Sequence, residues 1–178
     1  PPSPPLNLPS PPSKEMHIWS ETISKLFTDN MGCFPVQSCS GNQYIMLAYH
    51  CDSNAILVEP FQSHNNRHRI PAYSRLMTRL QARGHTVNHQ VLNNEISTAY
   101  KTAITTSNRT YQLVPPDDHR CNIAEEAIQT WKDHFVSTLS GTADNFPLHL
   151  WCQLIPQMEH QLNLLRQFHS NPKILAYA

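Results

Sequence analysis

The stretch YQLVPPDDHRCNIAEEAIQTWKDHF, from Tyr111 to Phe135, decides how this chain folds. Its first residues have the apolar character of a β-strand, and two prolines then end that strand because they lack a backbone N–H. A helix is predicted from Asn122, a good N-cap residue, with Glu125 three residues later as in a capping box. The apolar side chains that follow recur at helical spacing and predict one buried face, formed by Ala124, Ala127, Ile128, Trp131, Phe135 and Leu139.

Glu125 lies off this buried face, with Gln129 one turn and Lys132 two turns further along the helix. A glutamate at this position commonly caps the helix and interacts favourably with the helix dipole. A carboxylate presented at the start of a helix, beside an irregular polar loop, is also well placed for catalysis. The local sequence leaves both roles open.

The composition is that of a soluble intracellular domain. The chain has 178 residues, enough for one domain with a substantial core, and its 13 basic and 13 acidic side chains balance. Any polyanion site must therefore be a local patch. Five cysteines, an odd number without C-x-x-C spacing, favour reduced thiols over a disulfide framework. No apolar run approaches membrane-spanning length, so we expect no membrane partner.

Residues 1–13, PPSPPLNLPSPPS, differ in composition from the rest of the chain. Such a proline-rich segment predicts an extended linker that buries nothing, and its Pro-x-x-Pro spacings also permit a peptide-ligand role. Residues 14–178 are predicted to form the folded domain. A linker at this position suggests a piece of a longer protein.

Three strands and a helix are predicted next. Ile23–Val36 contains Asp29 and ends in residue types that permit a bend or bulge. Gln43–His50 is nearly continuously apolar, as expected of a buried strand, and Ala55–Phe61 returns after a polar turn. Helical periodicity begins after Pro71, which suits the first turn of a helix.

A strand is then predicted over about residues 85–92, a helix over 96–104 and a fifth strand over 111–114. Two helices follow, over about residues 122–139 and 147–171. The fourth strand ends at Asn93. The last helix is expected to bury apolar residues from Leu148 to Leu165 and to kink at Pro156. This order predicts a mixed α/β domain with a central five-stranded sheet.

The segment QLVPPDDHRCNIAEEAIQTWKDHF resembles the third-carboxylate segment of retrotransposon integrase cores, of copia or gypsy type. There a pattern such as N-x-A-E-x-A-I-x-T-x-K carries the catalytic glutamate. The likeness extends over roughly residues 14 to 178. It implies a ribonuclease H-like fold, with a five-stranded mixed sheet flanked by helices.

The resemblance implies three catalytic positions. The first is Asp29, whose segment TDNMGCFP corresponds to the family pattern T-D-x-T-G-x-F-P. The second is Asn93, whose segment LNNE corresponds to L-D-N-E, and the third is Glu125. In the family these carboxylates hold two magnesium ions about 3.5–4 Å apart, which activate water or a DNA 3′ hydroxyl. Asp29 and Glu125 are therefore expected to bind Mg²⁺ or Mn²⁺, because such ions require hard oxygen ligands.

Asn93 departs from the pattern, because an amide lacks the negative charge and cannot bridge two cations. One unit-charge pair at 4 Å is worth on the order of 4 kcal/mol at an effective dielectric of 20. Its loss from the transition state alone would slow the reaction roughly a thousandfold. Glu95, two residues on, is expected to cap the following helix rather than replace the missing Asp. We therefore expect impaired catalysis.

Contacts to nucleic acid are also implied by the resemblance. The family pattern H-R-R-N-x-A-E-R-A-I-R is rich in arginine, and three of its positions here hold Cys121, Glu126 and Gln129. The remaining candidates for contacts with DNA phosphates are His119, Arg120, Asn122 and Lys132. Each of these taken singly also fits an ordinary exposed polar residue.

Other chemistries have weaker support. The pairs His64-x-x-x-His68 and His85-x-x-x-His89 have metal-compatible spacing only on a helix, and neither has cysteine partners at zinc-finger spacing. No G-x-S-x-G elbow or dinucleotide fingerprint occurs.

The resemblance implies metal-dependent DNA strand transfer by the integrase core of a retrotransposon polyprotein, impaired at Asn93 in this copy. Its partners would be element ends, target DNA and further copies of the chain, and it would act in the nucleus at the integration step. Two alternatives stay open: a non-catalytic nucleic-acid-binding or dimerisation module that keeps the fold, and a metal-dependent ribonuclease H-like nuclease.

Overall fold

The computed structural model describes residues 24–93, 96–114, 122–169 and 171–176, so the proline-rich segment 1–13 lies outside the described residues. The strands are β1 (Lys25–Met31), β2 (Tyr44–His50), β3 (Ala55–Phe61), β4 (His89–Asn93) and β5 (Thr110–Val114). The helices are α1 (Asn66–Ala82), α2 (Thr98–Thr106), α3 (Asn122–Ser140) and α4 (Trp151–Leu164), the last preceded by a 3₁₀ turn at Leu148–Leu150. None of the helices in these ranges is long and apolar enough to cross a membrane.

The five strands form one sheet in the order β3-β2-β1-β4-β5. The strands β1, β2 and β3 are antiparallel neighbours, whereas β4 pairs in parallel with both β1 and β5. The prediction of a mixed α/β domain with a five-stranded sheet is confirmed. Because β1, β4 and β5 are parallel, their carboxyl ends meet at one edge of the sheet.

The sheet has an apolar core on each face, which explains why β2 is almost continuously apolar. Met46 and Ala48 pack in a cluster with α1 and α2, whereas Ile45, Leu47 and Tyr49 pack in a second cluster with α3 and α4. A strand buried on both faces carries apolar side chains at successive positions. The central strand of the antiparallel half therefore anchors both helical layers.

The start of α1 and the end of α4 differ from the expectation. Helix α1 begins at Asn66, so Pro71 lies inside it rather than in its first turn. Helix α4 ends at Leu164, and Leu148 and Leu165 are 54% and 83% exposed instead of buried. Beyond α4 the Arg166 guanidinium donates to the Asn54 carbonyl oxygen at 2.7 Å. This contact holds the chain against the β2–β3 turn. The helix therefore ends before Arg166.

Helix α4 also covers the outer edge of β3. Asn163 accepts from the Ile56 N–H at 2.9 Å and donates to the Ile56 carbonyl oxygen at 2.7 Å. One turn earlier, Glu159 accepts from the Val58 N–H at 2.8 Å and pairs with Arg79. Unpaired backbone groups on an edge strand favour association with another strand. The side chains of α4 satisfy these groups within the domain.

Candidate active site

Two of the three motif positions lie on neighbouring strands at the carboxyl edge of the parallel pair. Thr28 on β1 pairs with Leu92 on β4 in parallel register. Asp29 and Asn93 each follow one residue later, so their backbones are adjacent at this edge. Neighbouring strands are about 4.8 Å apart. Asn93 in turn pairs with Val114, the last residue of β5.

A cavity of about 680 Å³ opens at this edge, between the sheet and α3. The charged and amide side chains that line it are Asp29, Glu125, Glu126, Gln129, Lys132 and Asp133. Asp29 and Glu125, which the resemblance implies as metal ligands, therefore share one cavity. Their assignment as catalytic residues stays a prediction.

Helix α3 is oriented by its apolar face. Trp131 and Phe135 are 0% and 1% exposed, and their rings stack with centroids 5.0 Å apart. Together with Ala124, Ala127 and Ile128 they pack in the cluster that contains Ile45 and Leu47 of β2. The predicted buried face is confirmed for these five residues, and Leu139 is partly buried against the same cluster. This packing leaves the polar face of the helix, including the exposed Glu125, at the cavity.

Lys132 binds Asp29 directly. Its ammonium donates to Asp29 Oδ2 at 2.8 Å, and the two side chains are 27% and 28% exposed. The other carboxylate oxygen, Oδ1, accepts from the Asn30 N–H at 2.8 Å. The side chain proposed to contact DNA phosphate is thus paired with a proposed metal ligand. Its role in binding DNA stays a prediction.

The first turn of α3 differs by one residue from the expected capping box. Asn122 is the first helical residue rather than the residue before the helix. Helix ends commonly shift by one or two positions with the definition used. Glu125 remains in the first turn, where its carboxylate interacts favourably with the helix dipole. The metal-binding role of Glu125 stays a prediction.

Several predicted positions lie outside the described residues. They are His119, Arg120, Cys121 and Glu95, together with the side chains of Asn93 and Asn122. Their proposed contacts with DNA, and the capacity of Glu95 to compensate for Asn93, stay predictions.

The donor chemistry of the cavity fits a hard divalent cation. Its carboxylates come from both β1 and α3, and carboxylate oxygens are the ligands that Mg²⁺ prefers. Within residues 24–93, 96–114, 122–169 and 171–176, however, no group of three or more His, Cys, Asp or Glu side chains is arranged to hold a metal. Among the described residues, the proposed site therefore depends on Asp29 and Glu125 as a pair.

Within the described residues, neither competing histidine pair belongs to a group of three or more side chains that could hold a metal ion. His68 Nδ1 lies 2.9 Å from Ser63 Oγ, whereas the ring of His64 packs edge-on against Tyr44. His89 Nδ1 lies 2.8 Å from Thr110 Oγ1. The rings are used in local hydrogen bonds and aromatic packing.

Asp133 and the Lys132–Asp29 ion pair were not predicted from the sequence. Asp133 Oδ1 accepts from the Gln129 amide at 2.8 Å, one helical turn away. The i, i+4 spacing of these two residues, and the i+7 spacing of Lys132 from Glu125, indicate a shared polar face. The contact of Lys132 with Asp29 joins residues far apart in the sequence, so no helical spacing indicates it.

Comparisons with known proteins give matches to solved structures alone, since no protein-family model and no curated protein matches the chain. The crystal structure of the catalytic core domain of BIV integrase has a TM-score of 0.61 at 14% identity, over 86% of this chain and 90% of that chain. A chain of the simian T-cell lymphotropic virus intasome, solved with PP2A regulatory subunit B56 gamma, has a TM-score of 0.66 at 11% identity. That match covers 87% of this chain and 53% of that chain. The chain therefore has the ribonuclease H-like fold of retroviral integrase catalytic cores.

Proposed function

We propose that this chain is the integrase-core-like domain of a retrotransposon polyprotein, with a metal-dependent site for DNA strand transfer that is impaired at Asn93. The observation that carries the proposal is the cavity at the carboxyl edge of β1, β4 and β5. Asp29 and Glu125 come from opposite parts of the chain and both line it. They are also the residues that match the first and third carboxylate motifs of the family.

The residues of the cavity suit this chemistry. Asp29 and Glu125 would supply carboxylate oxygens to Mg²⁺ or Mn²⁺, and the Asn30 N–H orients one oxygen of Asp29. When bound, such a cation activates water or a DNA 3′ hydroxyl and stabilises the leaving oxygen. If a cation bound Asp29, the ammonium of Lys132, which now pairs with that carboxylate, would be available to a phosphate of the DNA. Its positive charge favours either partner.

Asn93 weakens the site in this proposal. Its backbone lies beside Asp29 on the neighbouring strand, where the family has a second aspartate. An amide oxygen still coordinates a cation, but it adds no negative charge. The loss of one such charge corresponds to about a thousandfold in rate if it acts in the transition state alone.

A second candidate is a non-catalytic module that binds nucleic acid or self-associates. The Lys132–Asp29 ion pair favours it, because the lysine satisfies the first carboxylate without a metal. In both proposals the partners are DNA, as retroelement ends and target DNA, and further copies of the chain. Action in the nucleus at the step of integration belongs to the first proposal.

The test is to repair the site. Asn93→Asp changes one amide to a carboxylate with almost no change in volume, so the fold should tolerate it. We expect the repaired protein to gain Mg²⁺- or Mn²⁺-dependent strand transfer, or the reverse disintegration reaction on branched DNA oligonucleotides, by roughly a thousandfold.

Two further variants in the repaired background serve as matched controls. Glu125→Gln should abolish the gain, whereas Asp144→Asn, at an exposed carboxylate that does not line the cavity, should retain most of it. A repaired protein that binds DNA but stays inert with either metal supports the non-catalytic module. Equal activity in the Glu125→Gln and Asp144→Asn variants would show that Glu125 is not the third ligand.

A further inference from the structure

A second pair of reactive side chains lies away from the cavity, where the segment between β1 and β2 meets the start of α4. Hydrogen bonds join this segment to the 3₁₀ turn before α4 and to the first residue of α4. The Cys39 N–H donates to the His149 carbonyl oxygen at 2.7 Å, and the Trp151 indole N–H donates to the Val36 carbonyl oxygen at 2.9 Å. Cys39 therefore has a defined position beside the first turn of α4.

The two thiols that meet there are Cys39 and Cys152. Their sulfur atoms are 3.7 Å apart, although the residues are distant in the sequence. Cys39 is exposed, whereas Cys152 is 7% exposed. A disulfide needs a sulfur–sulfur distance of about 2.05 Å. The two sulfur atoms are in van der Waals contact, so a disulfide requires them to approach by less than about 2 Å.

The surroundings of Cys39 favour its thiolate. The Gln153 amide nitrogen lies 3.6 Å from the Cys39 sulfur and 4.0 Å from the Cys152 sulfur. Hydrogen bonds from Gln153, Ser40 and Cys152 lower the pKa of the Cys39 thiol below its usual value. The thiolate is the form of cysteine that reacts with oxidants. Cys39 thus combines exposure, a stabilised thiolate and a second sulfur within reach.

We propose that Cys39 is an oxidation site for hydroperoxides and that Cys152 resolves the oxidised form to a disulfide. The Cys39 thiolate attacks the outer oxygen of the peroxide, the O–O bond breaks, and the leaving oxygen takes a proton to become water or an alcohol. The product is a sulfenic acid on Cys39. The Cys152 sulfur then attacks that sulfur, the S–O bond breaks, and the proton lost by Cys152 leaves with the hydroxide as water.

The disulfide would join the β1–β2 segment to α4. Each sulfur gives up one electron and the peroxide accepts both, so no other oxidant is needed. The closed loop would span most of the folded domain, and long loops gain the largest stabilisation from a crosslink. This proposal does not depend on catalysis at Asp29 and Glu125.

Hydrogen peroxide added to the reduced 178-residue chain tests the proposal, with trypsin peptides then mapped by mass spectrometry under non-reducing conditions. Cleavage after lysine and arginine places Cys39 in peptide 26–67, Cys121 in 121–132 and Cys152 in 133–166. We expect a crosslink between peptides 26–67 and 133–166, reversed by reductant, together with a higher melting temperature of the oxidised protein.

Variants identify the sulfur atoms, because peptide 26–67 also contains Cys33 and Cys51. The crosslink should be lost in Cys39→Ser and kept in Cys33→Ser, which removes another exposed thiol of the same segment. In Cys152→Ser, a sulfenic acid on Cys39 should accumulate and be trapped by dimedone. Gln153→Ala should slow oxidation of Cys39 several-fold, and it alters only an exposed side chain.

Three results would overturn the proposal. They are the absence of the crosslink in the peroxide-treated wild-type protein, its persistence in Cys39→Ser, and preferential oxidation of Cys33. The wild-type peptide map by itself decides the first of these, even if a cysteine variant fails to fold.

Discussion

Asp29 pairs with the ammonium of Lys132, whereas the motif around Asp29 implies a divalent cation as its ligand-binding partner. The ion pair with Lys132 has a 2.8 Å contact, but both side chains are partly exposed. Exposed and partly exposed pairs typically contribute less than about 1 kcal/mol, because water and salt screen them. A cation of twice the charge can displace the lysine at small cost. In the proposed metal site, the lysine would therefore compete with the cation without excluding it.

The family resemblance implies a catalytic role for Asp29, but the sequence does not predict its ion pair with Lys132. The segment TDNMGCFP resembles the family motif, whereas the contact with Lys132 depends on how α3 crosses β1. That crossing is set by packing of Trp131 and Phe135 against the sheet. The contact between Lys132 and Asp29 therefore follows from the tertiary packing of α3 and cannot be read from the sequence around either residue.

His50 gives the protein a pH-dependent stability. It is 1% exposed, its Nε2 lies 2.7 Å from Ser24 Oγ, and its Nδ1 lies 2.7 Å from Ser53 Oγ. Burial lowers the pKa of His50 below 6.5, and nearby His85 lowers it further, while Asp52 acts in the opposite direction. The folded protein therefore binds a proton to His50 less readily than the unfolded chain does.

We predict that the free energy of unfolding falls as the pH is lowered through about 6.5, because the unfolded state then takes up a proton that folded His50 does not. In His50→Gln this decrease should be smaller, although the variant is less stable at neutral pH. Urea unfolding between about pH 7.5 and about pH 5.5 measures the difference.

The exposed Gln161 provides the control, since Gln161→Ala removes no titratable group and should keep the wild-type pH dependence. An unchanged pH dependence in His50→Gln would show that other groups control the acid response.

At the scale of elements, the strength of the local pattern decides what can be predicted. The apolar spacing on α3 identifies its buried face, and a two-sided apolar run identifies β2. The end of α4 has no such signal, because Leu165 continues the helical spacing but is 83% exposed. The helix ends where Arg166 bonds to the β2–β3 turn, a contact between residues far apart in sequence.

Two polar residues of α4, Glu159 and Asn163, cover the edge of β3. Helical periodicity alone does not distinguish them from the exposed polar residues of the same helix. Asn163 is 0% exposed and makes both hydrogen bonds to Ile56. We predict that Asn163→Ala destabilises the fold by about 2–4 kcal/mol, because it leaves a buried N–H and carbonyl group unpaired. The midpoint of urea unfolding measures this loss.

Gln161→Ala is the matched control, since Gln161 is exposed on the same helix. Its effect should stay within about 0.5 kcal/mol. If the two variants are equally stable, water replaces the Asn163 side chain at the strand edge and the proposed cover is not needed.

At the scale of the whole molecule, the parallel pairing of β1, β4 and β5 assembles the candidate site. The sequence predicts the order of strands and helices along the chain, and the family resemblance implies their arrangement in the sheet. Periodicity alone does not determine which strands pair, because pairing depends on contacts between distant segments. This arrangement places Asp29 beside Asn93 at one edge of the sheet, and Glu125 lines the cavity that opens there.

The central claim is that these three positions form one metal site, weakened at Asn93. Calorimetric titration of Mg²⁺ into the wild-type protein and Asn93→Asp tests it most directly, with Lys132→Gln included to remove the competing ammonium. We predict at most one weak site in the wild type, tighter binding in Lys132→Gln, and a gain in affinity or in a second site in Asn93→Asp. Two tight magnesium sites in the wild-type protein, or no change in magnesium binding on Asn93→Asp, would contradict the account.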